Sequence, residues 1–150
     1  MDYIKNKSES FFREIRMIEI YDAKRLPYID NFNGRFPMSN PSFTFEVTPE
    51  TYDRNIGTKQ KSRNNYYPID LSFSLLTLST DLRNLLYEKL NRRGFAVVLY
   101  SNTEKMALGN ENEDLSVFFI DSIKDNNSGD DSFIININGE TIVPPNAATL

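Results

Sequence analysis

Strict alternation of apolar and polar side chains, repeated in several separated segments, constrains this chain more than any other feature. Phe43, Phe45 and Val47 alternate with Thr44, Glu46 and Thr48, and Ile69, Leu71, Phe73 and Leu75 alternate with Asp70, Ser72 and Ser74. A strand points successive side chains to opposite faces, so such segments bury one face and wet the other. That is the pattern of antiparallel sheets with one solvated side. The spacing predicts a strand from Ser42 to Thr48 whose partner is Tyr66 to Leu78. A further strand from Glu14 to Asp22 sets Ile15, Met17 and Glu19 against Arg16, Ile18 and Ile20, with both faces partly covered.

Between these strands the local signals change. Residues 23–41 carry Pro27, Gly34, Pro37 and Pro41 with Tyr28, Phe32 and Phe36 among them, which predicts an irregular loop anchored by its aromatics. After Gly94 the chain reads as a strand-rich meander: 95–100, 106–110, 115–124 and 133–138. Asn138-Gly139 is a tight-turn dipeptide, expected to close a last hairpin onto 141–143 before Pro144-Pro145 stops it. Residues 1–12 are expected to be a flexible N-terminal segment and 144–150 a loose tail.

One helix is predicted, from Asp81 to Arg93. Ser79 or Thr80 caps it, Asp81 complements the helix dipole, and Leu82, Leu85, Leu86 and Leu90 form a stripe expected to be core. Lys89, Arg92 and Arg93 crowd its C-terminal end, and Gly94 is the expected cap. The fold class that follows is α+β, mainly antiparallel β: a β-sandwich or open barrel with one flanking helix, in a single domain over 1–150. The chain is 39% apolar but 13% aromatic, with 11 Phe and 8 Tyr, which predicts a small aromatic core that completes its burial against neighbours.

The chain contains no cysteine, histidine or tryptophan. Thiolate nucleophiles, imidazole bases and Cys/His zinc sites are therefore excluded, and the expectation is a non-enzymatic protein without cofactor or transition metal. Asp121, Asp125, Asp130 and Asp131 surround Asn126-Asn127-Ser128-Gly129, an oxygen-rich turn that lacks the order of an EF-hand loop. It reads as a solvated acidic turn, with calcium left open. Glu104, Glu111, Glu113 and Asp114 form a second acidic group, and neither group is expected to supply a glycosidase pair. No glycine-rich phosphate loop and no Gly-x-Ser-x-Gly elbow occurs.

Charge is divided unevenly along the chain. Residues 1–103 hold 15 basic and 12 acidic side chains (+3), whereas 104–150 hold 2 basic and 9 acidic (−7). An acidic surface repels nucleic acid, so DNA is expected only as passing, non-specific cargo. Arg54, Lys59, Lys61 and Arg63 fall in the polar stretch 49–65, which reads as an extended basic hairpin arm joining the strands 42–48 and 66–78. The arm is expected to order on contact with a neighbouring subunit. No apolar run approaches the ~18 residues that span a bilayer, and Met1-Asp2-Tyr3-Ile4-Lys5 lacks a signal-peptide apolar core. Synthesis in the cytoplasm, away from membranes, is the expectation.

Three segments together resemble bacteriophage virion proteins of the tail and the head–tail neck. They are Pro68-Ile69-Asp70-Leu71-Ser72-Phe73 following a loop, the helix leading into Phe95-Ala96-Val97-Val98-Leu99, and Met106-Ala107-Leu108-Gly109-Asn110 followed by Leu115-Ser116-Val117 and Gly139-Glu140-Thr141-Ile142. The likeness covers about two thirds of the chain, from residue 42 onward. The Asn-rich style, with 17 asparagines, is also similar to phages of gut Bacteroidales, including the crAss-like group. The resemblance implies a virion structural protein made in the host: a connector-ring, tail-tube or tail-hub subunit surrounding the DNA passage. Its partners would be further copies in a ring, the portal, and neighbouring ring or tail proteins. Cations Arg54, Lys59, Lys61 and Arg63 would then meet Glu111, Glu113 and Asp114 or Asp125, Asp130 and Asp131 of the next copy. The alternative is a non-enzymatic bacterial binding module that holds a carbohydrate or protein on exposed Tyr52, Tyr66 and Tyr67.

Overall fold

A computed structural model describes residues 14–24, 28–31, 34–75, 78–125, 132–145 and 147–149. In chain order the elements are β1 (Ile15–Asp22), β2 (Tyr28–Asn31), β3 (Gly34–Pro37), β4 (Phe43–Glu46), a 3-10 turn (Pro49–Thr51), β5 (Asp53–Ile56), β6 (Lys59–Lys61) and β7 (Asn64–Leu75). Then follow α1 (Thr80–Lys89), β8 (Arg92–Ser101), β9 (Glu104–Leu108), β10 (Leu115–Ser122), β11 (Ser132–Thr141) and β12 (Ala147–Thr149). The fold is α+β, an antiparallel open barrel with one helix. Among the described residues no helix is long and apolar enough to cross a membrane.

The barrel consists of two half-sheets that share β8. One half runs β4-β1-β8-β9-β12 and the other β8-β10-β11-β7-β5. Gly94 is the corner between them. Phe95 pairs with Leu115 but Arg93 pairs with Ser116, so Gly94 is bulged out of the ladder, and its φ of +117° is one that side-chain-bearing residues rarely adopt. Its carbonyl accepts the Ala23 N–H at 2.9 Å. Gly94 was expected to cap the helix; it instead bends the strand that follows it, because β8 must leave β1 and β9 to reach β10.

Alternation decides which side chains fill the space between the halves. Ile18 and Ile20 of β1, Phe95, Val97 and Leu99 of β8, Ile69, Leu71 and Phe73 of β7, and Ile135 and Ile137 of β11 all point inward and are buried. The rings of Phe45 and Phe73 meet at 5.6 Å, and those of Phe119 and Phe133 stack at 5.9 Å. These rings pack among a larger number of Ile, Leu and Val side chains, and the apolar area buried by both kinds together stabilises the core.

Helix α1 contributes Leu86 and Leu90 to the core. The Ser79 hydroxyl accepts the Leu82 N–H at 3.2 Å as N-cap. The helix ends at Lys89, four residues earlier than its charge pattern predicts, and Arg92 and Arg93 belong to β8. Asn91 makes the stop: at φ +66° it leaves the helix, its N–H donates to the Val117 carbonyl at 2.8 Å and its Oδ1 accepts from the Phe119 N–H at 2.8 Å. Asparagine tolerates the left-handed conformation better than most residues, which is why it can replace the expected glycine. Only half of the leucine stripe is core. Leu86 and Leu90 are buried, but Leu82 and Leu85 are each 39% exposed.

Residues 23–41 are not wholly irregular, since β2 and β3 form a hairpin. It covers the outer face of the first half-sheet, where Phe36 packs against Tyr21, Ala23, Ala96, Val98 and Ala148. Alanines at 23, 96 and 148 leave the space that the phenyl ring occupies. Phe36 is thus an anchor, as expected; Phe32 lies outside the described residues.

Three further expectations are corrected. The strand β4 pairs with β1, not with β7, in the register Phe45 opposite Ile18. No hairpin forms at Asn138-Gly139, because β11 runs straight through to Thr141 on β7. The segment after Pro144-Pro145 is not loose over its length: Ala147–Thr149 pairs with β9 as an edge strand.

Candidate assembly surfaces

The basic stretch 49–65 is built on β7 alone. β5 pairs with Ile69–Ser72, and β6 continues the ladder further out with Lys59 opposite Tyr66 and Lys61 opposite Asn64. Its pairing is made within the chain. Beyond Gly57, whose N–H still bonds the Pro68 carbonyl, the ribbon has two strands and every residue from Thr58 to Asn65 is exposed. Ser62 and Arg63 make the reversal with φ of 51° and 69°. Lys59, Lys61 and Arg63 are gathered on this tip, while Arg54 lies apart on β5, half-buried opposite Leu71.

The acidic residues are spent largely within the chain. Asp114 is ion-paired with Arg93 Nε. Glu113 accepts from the backbone N–H of Ile142 and, at 3.4 Å, from that of Val143. Asn110 Oδ1 fixes the loop beneath it by accepting from Asn112 and Glu113 N–H at 2.9 and 3.0 Å. Glu111 is half-buried alongside. Asp125 is exposed just past β10; Asp130 and Asp131, with the turn 126–129, lie outside the described residues. Asp121 accepts from the Tyr87 hydroxyl and from the Ile123 N–H, both at 3.1 Å. Among the described residues no three carboxylates gather as metal ligands.

The Glu113 clamp has a consequence that the sequence pattern did not signal. It holds Ile142 and Val143 outward at 69% and 48% exposure, next to Pro144 and Pro145. Two apolar residues ahead of a diproline, which cannot continue a ladder, are the signal that could have marked them.

A second surface lies at the C-terminal end of α1. Asp22, Ser42, Phe43, Leu85, Lys89, Arg92 and Phe95 line an open cleft of about 410 Å³. Its floor is aromatic and its rim is charged. Arg92 is held in place over the Phe95 ring, 4.4 Å from its centroid, and donates from Nε to the Lys89 carbonyl at 3.3 Å. Lys89 Nζ stands 3.9 Å from Glu88, and Asp22 Oδ1 accepts from Lys24 N–H.

The most perturbed ionisable groups are elsewhere, on the outer face of the first half-sheet. Burial first, then the charge and hydrogen bond of Glu19, pushes the Tyr21 phenol up to about 12. Tyr100 is raised by the same causes. The Tyr21 hydroxyl donates to Glu19 Oε1 at 3.1 Å. The tyrosines expected to form an exposed platform do not share one: Tyr52 packs against the core, and Tyr66 and Tyr67 are consecutive on β7 and face opposite ways.

Comparison of the chain with protein-family models, characterised proteins and solved structures finds no match.

Proposed function

We propose that this chain is a structural subunit of a homo-oligomeric ring, in the head–tail connector or tail of a phage virion, where it surrounds the DNA passage without reading it. The observation that carries the reading is the unsupported ribbon Lys59–Tyr66. A two-stranded ribbon with no packing layer contributes little to the stability of its own domain, so its length and its three cations suit a contact outside that domain. Supporting it, the barrel is open, with β4, β12 and β5 as edges, and the protein carries a net charge of −4 against the positive tip. A positive tip and an acidic body favour head-to-tail contact between copies, which closes into a ring when the rotation permits.

The test replaces Lys59–Tyr66 by an Asn-Gly turn between Thr58 and Tyr67. The variant should keep its β-rich circular-dichroism spectrum and its cooperative melt, yet form no rings under the electron microscope where the wild type does. Rings formed at wild-type yield by the shortened chain would overturn the proposal.

A further inference from the structure

We infer that the Ile142-Val143 knob of one copy seats in the Phe43–Leu85–Phe95 cleft of the next copy, as the apolar centre of the contact between subunits. This rests on the assembly reading above and adds to it a second, specific contact point.

Knob and cleft are complementary in apolar character and in charge. The knob presents two aliphatic side chains whose backbone is clamped by Glu113, so little conformational freedom is lost when it docks. Its base is acidic, with the Glu113 carboxylate held against the Ile142 and Val143 backbone. The cleft offers an apolar floor of Phe43, Leu85 and Phe95 with the cations Lys89 and Arg92 on its rim. Asp22 also lines the cleft and accepts from the Lys24 N–H, so Lys89 and Arg92 against Asp22 leave the lining one positive charge in excess; Glu88, outside the lining, stands 3.9 Å from Lys89 Nζ. Arg92 is already oriented by the Lys89 and Arg93 carbonyls and by Phe95. It would need no reordering to meet an anion.

Leu85 gives the cleft an apolar wall suited to an aliphatic occupant. It belongs to a stripe that the helix could have buried in its own core, yet it stands 39% exposed as a wall of the cleft. Knob and cleft share no residue, and the knob follows β11 whereas the cleft lies between α1, β1, β4 and the start of β8. A contact between two different patches repeats from copy to copy, as a ring requires, instead of stopping at a symmetric pair.

The absence of native cysteine makes a clean cross-linking test possible. Leu85→Cys and Ile142→Cys are both substitutions at exposed positions, and a disulfide forms only when the two Cα atoms come within about 7 Å. Under mild oxidation the double variant should give a ladder of covalent multimers. Each single variant should stay monomeric on a non-reducing gel, and a one-to-one mixture of the two should stop at a dimer. Symmetric dimers from either single variant, or a double variant that stays monomeric while still associating in sedimentation, would overturn this contact and leave the ring reading standing. If the wild type and the double variant both fail to associate at any concentration, the ring reading falls and the contact falls with it.

Discussion

Gly139 lies directly against Leu115: a Cβ built at residue 139 would fall 2.6 Å from Leu115 Cδ2 and 3.5 Å from its Cα. Glycine is therefore required inside β11 by the close approach of the 110–115 loop, not by a turn. The same loop carries Glu113 and Asp114, so the packing at Gly139 fixes the base of the Ile142-Val143 knob.

Gly139→Ala should overpack this contact and destabilise the fold by about 1–3 kcal/mol, the usual cost of forcing an extra methyl into a packed interior. Urea denaturation monitored by circular dichroism measures it. Because Leu115 is fully buried it has little room to yield; a variant as stable as the wild type would show that the loop can shift.

Alkaline pH should weaken the fold over a defined window. The Tyr21 phenol is pushed up from 10.0 to about 12, so the folded state holds its proton more tightly than the unfolded chain does. The stabilisation is fully present below pH 10 and is lost as pH rises from 10 through 12. An absorbance titration of phenolate should show a late-ionising component, shared by Tyr21 and Tyr100, that Tyr21→Phe reduces without abolishing and that Glu19→Gln shifts to lower pH. Identical titration curves for the wild type and Glu19→Gln would contradict the contribution of Glu19, which adds to that of burial.

The hairpin tip separates stability from assembly. Ser62 and Arg63 both sit at positive φ in a two-residue reversal, a conformation that favours Asn-Gly. Ser62→Asn with Arg63→Gly should raise stability by on the order of 1 kcal/mol. The same change removes one cation, so self-association should weaken even as the unfolding midpoint rises. Association that strengthens together with stability would mean that Arg63 makes no contact.

The parts of this fold legible in the sequence were those written in local pattern. Ile69, Leu71 and Phe73 alternate and are buried, Ser79 caps the helix, and Leu86 and Leu90 face the core. Pairing partners were not legible, because alternation says which face of a strand is buried and nothing about which strand lies beside it. β4 thus found β1, and β5 with β6 took the place on β7. Gly94 and Asn138-Gly139 carried turn-like signals but serve a bulge and a close approach, demands that only the assembled sheet imposes. The candidate sites divide in the same way. Lys59, Lys61 and Arg63 share a tip because they share a short hairpin, whereas Asp114 and Glu113 are tied up by Arg93 and by the 142–143 backbone from distant parts of the chain.

Sedimentation velocity of the wild type and of the triple variant Lys59→Glu, Lys61→Glu, Arg63→Glu, over a concentration series at low and high salt, bears most directly on the claim that this chain builds a ring through its hairpin. The wild type should pass from monomer to one larger closed species as concentration rises, with the transition moving to higher concentration as salt screens the tip. The triple variant should remain monomeric throughout, with an unchanged thermal midpoint. A wild type that sediments as a monomer at every concentration and salt, or a triple variant that assembles as readily as the wild type, would contradict the account.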